Sequence, residues 1–166
     1  MEYVISEVED NDLEECVEVI HQGFATVAKD FGLTIENCPT NGAFIPVDRL
    51  IAERENGQLM YKMIDKGRII GYMQLEKSKE DKYFLQKLVV LPEYRHLGYG
   101  RKLLDYSQDV VQKAGGNYIS IGIIEENTIL KDWYLAYGFH TTGIRKFEHL
   151  PFTVGFMELV LSEKNN

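Results

Sequence analysis

The sequence predicts a mixed α/β domain: a twisted, mostly antiparallel sheet of about seven strands with about four helices on both faces. Three observations predict this class. Apolar residues recur at helical spacing in some stretches and alternate, as in strands, in others. The expected order is β-α-α-β-β-β-α-β-α-β-β, in which antiparallel hairpins flank one β-α-β crossover. The length of 166 residues suits a single domain over 1–166.

The first part of the chain predicts two helices and four strands. Asn11 or Asp12 can cap the first helix, and Pro46 opens the second. A hairpin turn is expected over 65–67, where Gly67 tolerates the backbone that such turns need. The expected ranges are 2–8 for the first strand, about 13–27 and 47–55 for the helices, and 58–64, 68–76 and 82–91 for the next strands.

The second part predicts two helices and three strands. Gly115 and Gly116 stop the first of these helices, whereas Asn127 caps the second and Gly138 ends it. The expected ranges are 99–114 and 127–137 for the helices and 117–124, 139–142 and 153–161 for the strands.

Charge is unevenly distributed along the chain, whose formal net charge is −8. Residues 1–60 hold three basic and thirteen acidic residues, a net charge of −10, and residues 61–166 have a net charge of +2. This distribution excludes the global basic patch of a nucleic-acid-binding protein. Two interpretations stay open for the acidic part: a surface that faces a cationic ligand, or a solvated surface that serves solubility.

Compartment and partners follow from features that the sequence lacks. No apolar run approaches the roughly 20 residues that a membrane helix needs, and the acidic start does not resemble a secretion signal. Cys16 and Cys38 form neither a disulfide framework nor a metal-ligand pattern, and the four histidines are not spaced as ligands. We therefore expect a cytoplasmic monomer or homodimer that uses no metal and binds neither nucleic acid nor membrane.

The most informative segment is 88–101, where a strand ends and a glycine-containing turn opens a helix. Backbone N–H groups at a helix start favour a phosphate, because they lack partners and the helix dipole is positive there. Gly98 and Gly100 allow the backbone to approach an anion, and Arg95 and Arg101 can add charged hydrogen bonds. The segment lacks both the P-loop pattern and the dinucleotide-binding pattern.

Two blocks of the sequence resemble the GNAT superfamily of N-acetyltransferases. The first block, V-x-P-E-Y-R-H-L-G-Y-G-R-K-L-L, is similar to the acetyl-CoA signature of that family. The second holds Asn127, Tyr134, Gly138 and Phe139 at the family's spacing, with Leu130 where the family usually has a small residue. Together with the order of strands and helices around them, the two blocks extend the resemblance over most of residues 58–143.

The resemblance implies a GNAT-like fold, acetyl-CoA as cosubstrate and an amine as acceptor. It implies that the strand before the loop offers backbone groups to the pantetheine arm, that loop N–H groups hold the pyrophosphate, and that Asn127 lies near the pantetheine. The implied cofactor-binding residues are Leu88, Val89, Val90, Arg95, His96, Leu97, Gly98, Tyr99, Gly100, Arg101 and Asn127.

The implied reaction is direct attack of a primary amine on the thioester in a ternary complex. Tyr134 occupies the position whose hydroxyl usually faces the CoA sulfur, and we expect it to be the catalytic proton donor to the leaving thiolate. Gly122 stands where some relatives carry a catalytic Glu, so the general base stays unassigned. The remaining candidates are Glu76, Glu125, Glu126, His140, His149 and a water chain.

The acceptor site should lie between the first two helices and the final hairpin, and the acidic residues 1–60 favour a cationic acceptor. A protein of the same fold that binds acyl-CoA without catalysis, as a sensor or a partner-binding module, is the alternative function. The predicted apolar and aromatic wall of the acceptor site comprises Phe24, Phe31, Phe44, Phe147, His149, Leu150 and Phe152.

Overall fold

The computed structural model describes residues 2–161, and it confirms the predicted class and order of elements. Short 3-10 turns at Asp10–Asp12 and Pro92–Tyr94 supplement that order. The strands are β1 (Val4–Glu7), β2 (Leu59–Asp65), β3 (Arg68–Lys79), β4 (Lys82–Val90), β5 (Tyr118–Ile124), β6 (His140–Lys146) and β7 (Thr153–Val160), and the helices are α1 (Leu13–Asp30), α2 (Val47–Glu55), α3 (Tyr99–Lys113) and α4 (Thr128–Tyr137).

The seven strands form one sheet in the order β1-β2-β3-β4-β5-β7-β6. Every neighbouring pair is antiparallel except β4 and β5, which α3 connects as a parallel crossover. Within the described residues, β4 and β5 pair only where Lys82–Phe84 lies beside Tyr118–Ser120. Beyond Phe84 and Ser120 the two strands separate, so the sheet opens along one edge of each strand.

Helices α1 and α2 cover one face of the sheet. Helix α1 lies so close to β4 that any side chain at Gly23 would collide with Cγ2 of Val89. Helix α2 lies over the same face, because Glu53 on it contacts Gln74 of β3 and Lys87 of β4.

Helices α3 and α4 cover the opposite face. Leu103 of α3 packs over Gly71 of β3, and the ring of Tyr106 meets that of Tyr61 edge-on at 5.3 Å. Helix α4 lies beside α3, because the hydroxyl of Tyr137 bonds to Asp105 and accepts from Gln108. The main core therefore forms on both sides of β2, β3 and β4.

Strand β4 contains a β-bulge at its centre. Tyr72 of β3 lies opposite Val89 and Gln74 lies opposite Gln86, so β4 has one more residue than β3 between these pairs. Lys87, one of the two residues in between, has a positive φ of 55°. The bulge turns the Lys87 side chain toward α2, where Nζ bonds to Oε1 of Glu53 at 2.8 Å.

Two local expectations need correction. Asp12 is the N-cap of α1, but its carboxylate makes no capping bond to α1; it accepts from the backbone N–H of Glu9 and from Lys62. Strand β6 runs from His140 to Lys146, longer than the expected 139–142. All seven of its residues are exposed, so no alternation of apolar residues marks the strand, which is defined by pairing with β7.

Candidate active site

A cavity of about 450 Å³ lies where β4 and β5 separate. Its wall contains β4 residues 84–88 and β5 residues 121–124, which face each other across the opening. Other parts of the wall come from α1, the loop that follows α1, α2, α4, the segment between β6 and β7, and β7. The divergence of two parallel strands thus creates a site that reaches both faces of the sheet.

Seven predicted site residues meet in this wall, and one of them is Leu150 on the acceptor side. Leu88, Asn127 and Tyr134 were expected on the cofactor side, and Phe24, Phe147 and Phe152 were expected on the acceptor side. The structure therefore brings members of both predicted groups into one cavity, while the loop 95–101 lies outside its wall.

Three expected acceptor residues lie outside the wall. Phe31 and Phe44 pack against a small second core, which includes Ala28 and Leu33. His149 is exposed, with its ring 5.8 Å from that of Phe147. These three side chains flank the cavity but do not line it.

Tyr134 is buried on the inner side of α4. Its ring lies edge-on to Trp133 at 5.0 Å and to Phe139 at 5.2 Å, which fixes its orientation. Burial raises the pKa of its hydroxyl well above the ordinary value, so the group keeps its proton at neutral pH. A protonated hydroxyl in a cavity wall can donate a hydrogen bond to a negative group formed beside it.

Asn127 has the capping role that its position predicts. Its side-chain oxygen accepts from the backbone N–H of Leu130 at 3.2 Å, which satisfies one free donor of α4. The same side chain lies in the cavity wall. Capping and ligand contact are therefore compatible at this residue.

The loop before α3 has the geometry of an anion site. Gly98 is the N-cap with a φ of 89°, and it provides no side-chain cap. The N–H groups of Tyr99, Gly100 and Arg101 belong to the first turn, where a helix has no acceptors of its own. His96 also has a positive φ, of 63°, so the backbone turns sharply before the helix.

The two expected loop arginines differ in their surroundings. The Arg95 guanidinium donates to the carbonyl of Gly23 at 2.6 Å and to Oγ1 of Thr26 at 2.9 Å, so it ties the loop to α1. Burial lowers its pKa. Arg101 is exposed and lies 5.8 Å from the ring centre of Tyr137. Arg101 is therefore the loop cation that faces solvent.

The side chains of the other expected cofactor residues are either packed within the protein or exposed at the tip of the loop. Val89 packs against α1, Val90 is buried, and the ring of Tyr99 lies between those of Tyr3 and Tyr94. His96 and Leu97 are exposed at the loop tip.

None of the proposed general bases lies in the cavity wall of residues 2–161. Glu76 and His140 are exposed, and Glu126 accepts from the backbone N–H of Thr153 at 3.0 Å. Glu125 pairs with Lys131 through one oxygen and buries the other without a hydrogen-bond partner. Glu125 and Glu126 therefore make contacts within the protein, and the general base stays unassigned.

The polar group beside α2 is not among the predicted site residues. Arg49, Gln86 and Lys87 line the cavity. Lys87 bonds to Glu53 and, at 3.2 Å, to Oε1 of Gln86, yet burial lowers its pKa despite the nearby carboxylate. A Gln-Lys pair inside the otherwise apolar run 83–91 was the one available signal, because it interrupts the apolar pattern of that strand.

The acidic residues of 1–60 point elsewhere. Glu14, Glu15 and Glu18 are exposed on α1, and Asp10 and Asp12 pair with Arg54 and Lys62. Among the residues that the structure describes, no Asp or Glu lines the cavity. The charge asymmetry therefore lies mostly on the outer surface, and Glu53, whose carboxylate bonds to the wall residue Lys87, is an exception.

Both cysteines are buried and free. Burial raises the pKa of the Cys16 thiol to about 12, whereas Cys38 lies in the cavity wall. Over residues 2–161, no three His, Cys, Asp or Glu side chains are grouped to hold a metal ion. In the same range, no helix has the length and apolar character to cross a membrane.

Comparison with known proteins identifies a family. The model of the acetyltransferase (GNAT) family matches residues 31–139. The histone acetyltransferase ESA1 of Kluyveromyces lactis is 38% identical over 47 residues, which are 28% of this chain and 11% of that protein. The similarity to ESA1 thus concerns a short segment and not the length of the relative.

Solved structures show the same fold over the whole chain. The ribosomal-protein-S18-alanine N-acetyltransferase of Escherichia coli has a TM-score of 0.78 at 18% identity, covering 99% of this chain and 97% of that one. The PaiA N-acetyltransferase of Thermoplasma acidophilum, solved with coenzyme A, has a TM-score of 0.74 at 19% identity, covering 96% and 99%.

Proposed function

This chain belongs to the acetyltransferase (GNAT) family, whose acyl donor is acetyl-CoA, and from that premise we propose that it acetylates a primary amine by direct attack in a ternary complex. The observation that carries the proposal is the cavity between the separated strands β4 and β5, which joins Tyr134 to an open apolar wall. A donor can enter from the side of α3 and α4, and an acceptor from the side of α1 and α2.

The residues present fit acetyl-CoA. The first-turn N–H groups of α3, after the uncapped Gly98, would hold the pyrophosphate, with Arg101 beside them. The edge of β4 that faces the opening would offer its backbone groups to the pantetheine arm, next to Asn127. When bound, acetyl-CoA supplies an activated thioester carbonyl.

The chain itself provides a proton donor, Tyr134, and neither of its cysteines is placed to form a covalent acetyl-enzyme intermediate. Tyr134 keeps its proton at Oη and can donate it to the leaving sulfur. Cys16 is buried with a pKa of about 12, and the cavity wall around Cys38 contains no histidine among the described residues. Neither cysteine is therefore an activated nucleophile, which supports direct attack.

A cationic acceptor has less support than the sequence suggested. That expectation required the acidic residues of 1–60 to face the site, but the wall contains none of them. The alternative function, acyl-CoA binding without catalysis, has one observation in its favour, because the same wall also lacks a histidine. An activity measurement is required to separate transfer from binding.

The test mixes the purified chain with acetyl-CoA and a panel of amines and follows release of the CoA thiol. We expect release that depends on the amine and an acetylated amine by mass spectrometry. Calorimetry with CoA is the control. Binding of CoA without thiol release for any amine would favour the sensor, and absence of binding would contradict both functions.

A further inference from the structure

The electrostatic character of the acceptor side comes from two cations. Arg49 of α2 and Lys87 of β4 line the cavity, and no carboxylate does so in the described part of the chain. Glu53 contacts both cations: it bonds to Lys87 at 2.8 Å and lies 3.8 Å from Arg49. One carboxylate is thus shared by two cations, and a second, that of Glu76, lies outside the wall and accepts from Gln86 at 3.4 Å.

Arg49 is the cation that remains available to a ligand. Its nitrogen is at the long end of the ion-pair range from Glu53, while the shorter contact of that carboxylate goes to Lys87. Its side chain is 41% exposed, compared with 9% for Lys87. A guanidinium can bind a carboxylate through two parallel hydrogen bonds, and its fixed fork suits that geometry.

The rest of the acceptor side is largely apolar, with Thr40 and Asn41 as polar residues in the loop after α1. Four aromatic rings from different parts of the chain line it: Phe24, Phe84, Phe147 and Phe156. Gly122 leaves room among these rings for one methyl group. A Cβ built there would lie 3.7 Å from the rings of Phe84 and Phe156, which is an ordinary van der Waals distance. A ligand group that fits these rings is itself apolar and of aromatic size.

The described wall contains no acidic group, and this limits the positive charge that an acceptor amine can carry. An amine must lose its proton before it attacks, and no carboxylate in this wall can receive that proton or stabilise an ammonium ion. A polyamine would bring two or more positive charges to Arg49 and Lys87, and like charges repel strongly in a partly desolvated site.

We propose that the acceptor is an amino acid with an apolar or aromatic side chain, whose carboxylate is bound by Arg49 and whose side chain lies among Phe24, Phe147 and Phe156. This inference rests on the proposed acetyl transfer and deepens it by naming the acceptor class. The transfer forms the amide C–N bond and breaks the thioester C–S bond. The amine proton passes to solvent, and the sulfur leaves as the thiol.

The experiment compares two amines that differ only in the carboxylate. Thiol release is measured with phenylalanine, with phenethylamine, and with spermidine as a polycation. We expect kcat/KM for phenylalanine to exceed that for phenethylamine by about tenfold or more, since only phenylalanine can accept charge-assisted hydrogen bonds from Arg49. Arg49→Gln should remove this preference, and the effect should appear as a higher KM for phenylalanine.

Arg54→Gln is the matched control. It makes the same charge change on the same helix, but Arg54 pairs with Asp10 outside the cavity wall, so the preference for phenylalanine should remain. Equal or better turnover of phenethylamine or spermidine, or a preference that survives Arg49→Gln, would overturn the acceptor class and leave acetyl transfer intact. If none of the amines caused thiol release, acetyl transfer itself would be overturned, and the acceptor class with it.

Discussion

At the scale of single residues, the environment of Tyr134 determines what its hydroxyl can do. The ring is held between Trp133 and Phe139, and the surrounding apolar groups raise the pKa of the hydroxyl. A raised pKa makes the proton harder to lose to solvent, but it also makes transfer to a thiolate, with a thiol pKa near 8.5, energetically uphill. Donation therefore has to occur as negative charge develops on the sulfur.

Tyr134→Phe tests this role. It removes the hydroxyl and keeps the ring packing, so we expect kcat to fall by about 10²-fold with little change in the KM for acetyl-CoA. Tyr137→Phe is the control, because it removes a hydroxyl from the same helix outside the cavity wall. If Tyr134→Phe retained near-normal kcat at saturating substrates, solvent would be the acid and Tyr134 a packing residue.

At the scale of elements, the start of α3 combines a positive φ with free N–H groups. Gly98→Val introduces a branched side chain where the anion must approach and strains a φ of 89°, so we expect the Kd for CoA to rise by at least about tenfold. Calorimetry measures it. Unchanged affinity in a folded variant would reject the loop as the pyrophosphate site.

The control for strain is Gly115→Val, at the other end of α3. Gly115 has a φ of 86° and nothing within 4 Å of an added Cβ, so the substitution imposes a similar backbone strain far from the loop. We expect a loss of stability in both variants but a loss of CoA affinity in Gly98→Val alone.

The sequence predicted elements whose signals are local. Periodicity located α1 and α3, glycines marked the end of α3 and of α4, and the two motif blocks identified Gly98, Asn127 and Tyr134. The polar corner of the site was not predictable, because Arg49 and Lys87 are distant in sequence. They meet only when α2 packs over β4 and the bulge turns Lys87 toward that helix.

At the scale of the whole molecule, burial sets the response to alkaline pH. Burial raises the pKa of Cys16 to about 12 and raises the pKa of Tyr72 and Tyr134 above their ordinary value near 10. Above about pH 8.5 the unfolded chain loses these protons first, so the native state binds more protons. Stability therefore falls as pH rises through this range. Lys87 opposes the trend, because its pKa is lowered.

Urea unfolding between pH 7 and pH 11 measures this effect. We expect the free energy of unfolding to decline above about pH 8.5, with a slope of up to about 1.4 kcal/mol per pH unit for each proton that only the native state retains. Tyr134→Phe removes one such proton and should reduce the slope above pH 10. A flat profile over this range would contradict the burial of these groups.

The separation of β4 from β5 makes isotope exchange a direct reporter of donor binding. Amides of 85–88 and 121–124 that point into the opening have no partner strand there, while those on the other side of each strand are bonded to β3 or β7. Without CoA, deuterium should therefore enter these two strands at the opening-facing amides, although the strands lie in the middle of the sheet. CoA that spans the opening should slow uptake there, and exchange followed by mass spectrometry would locate the ligand without any substitution.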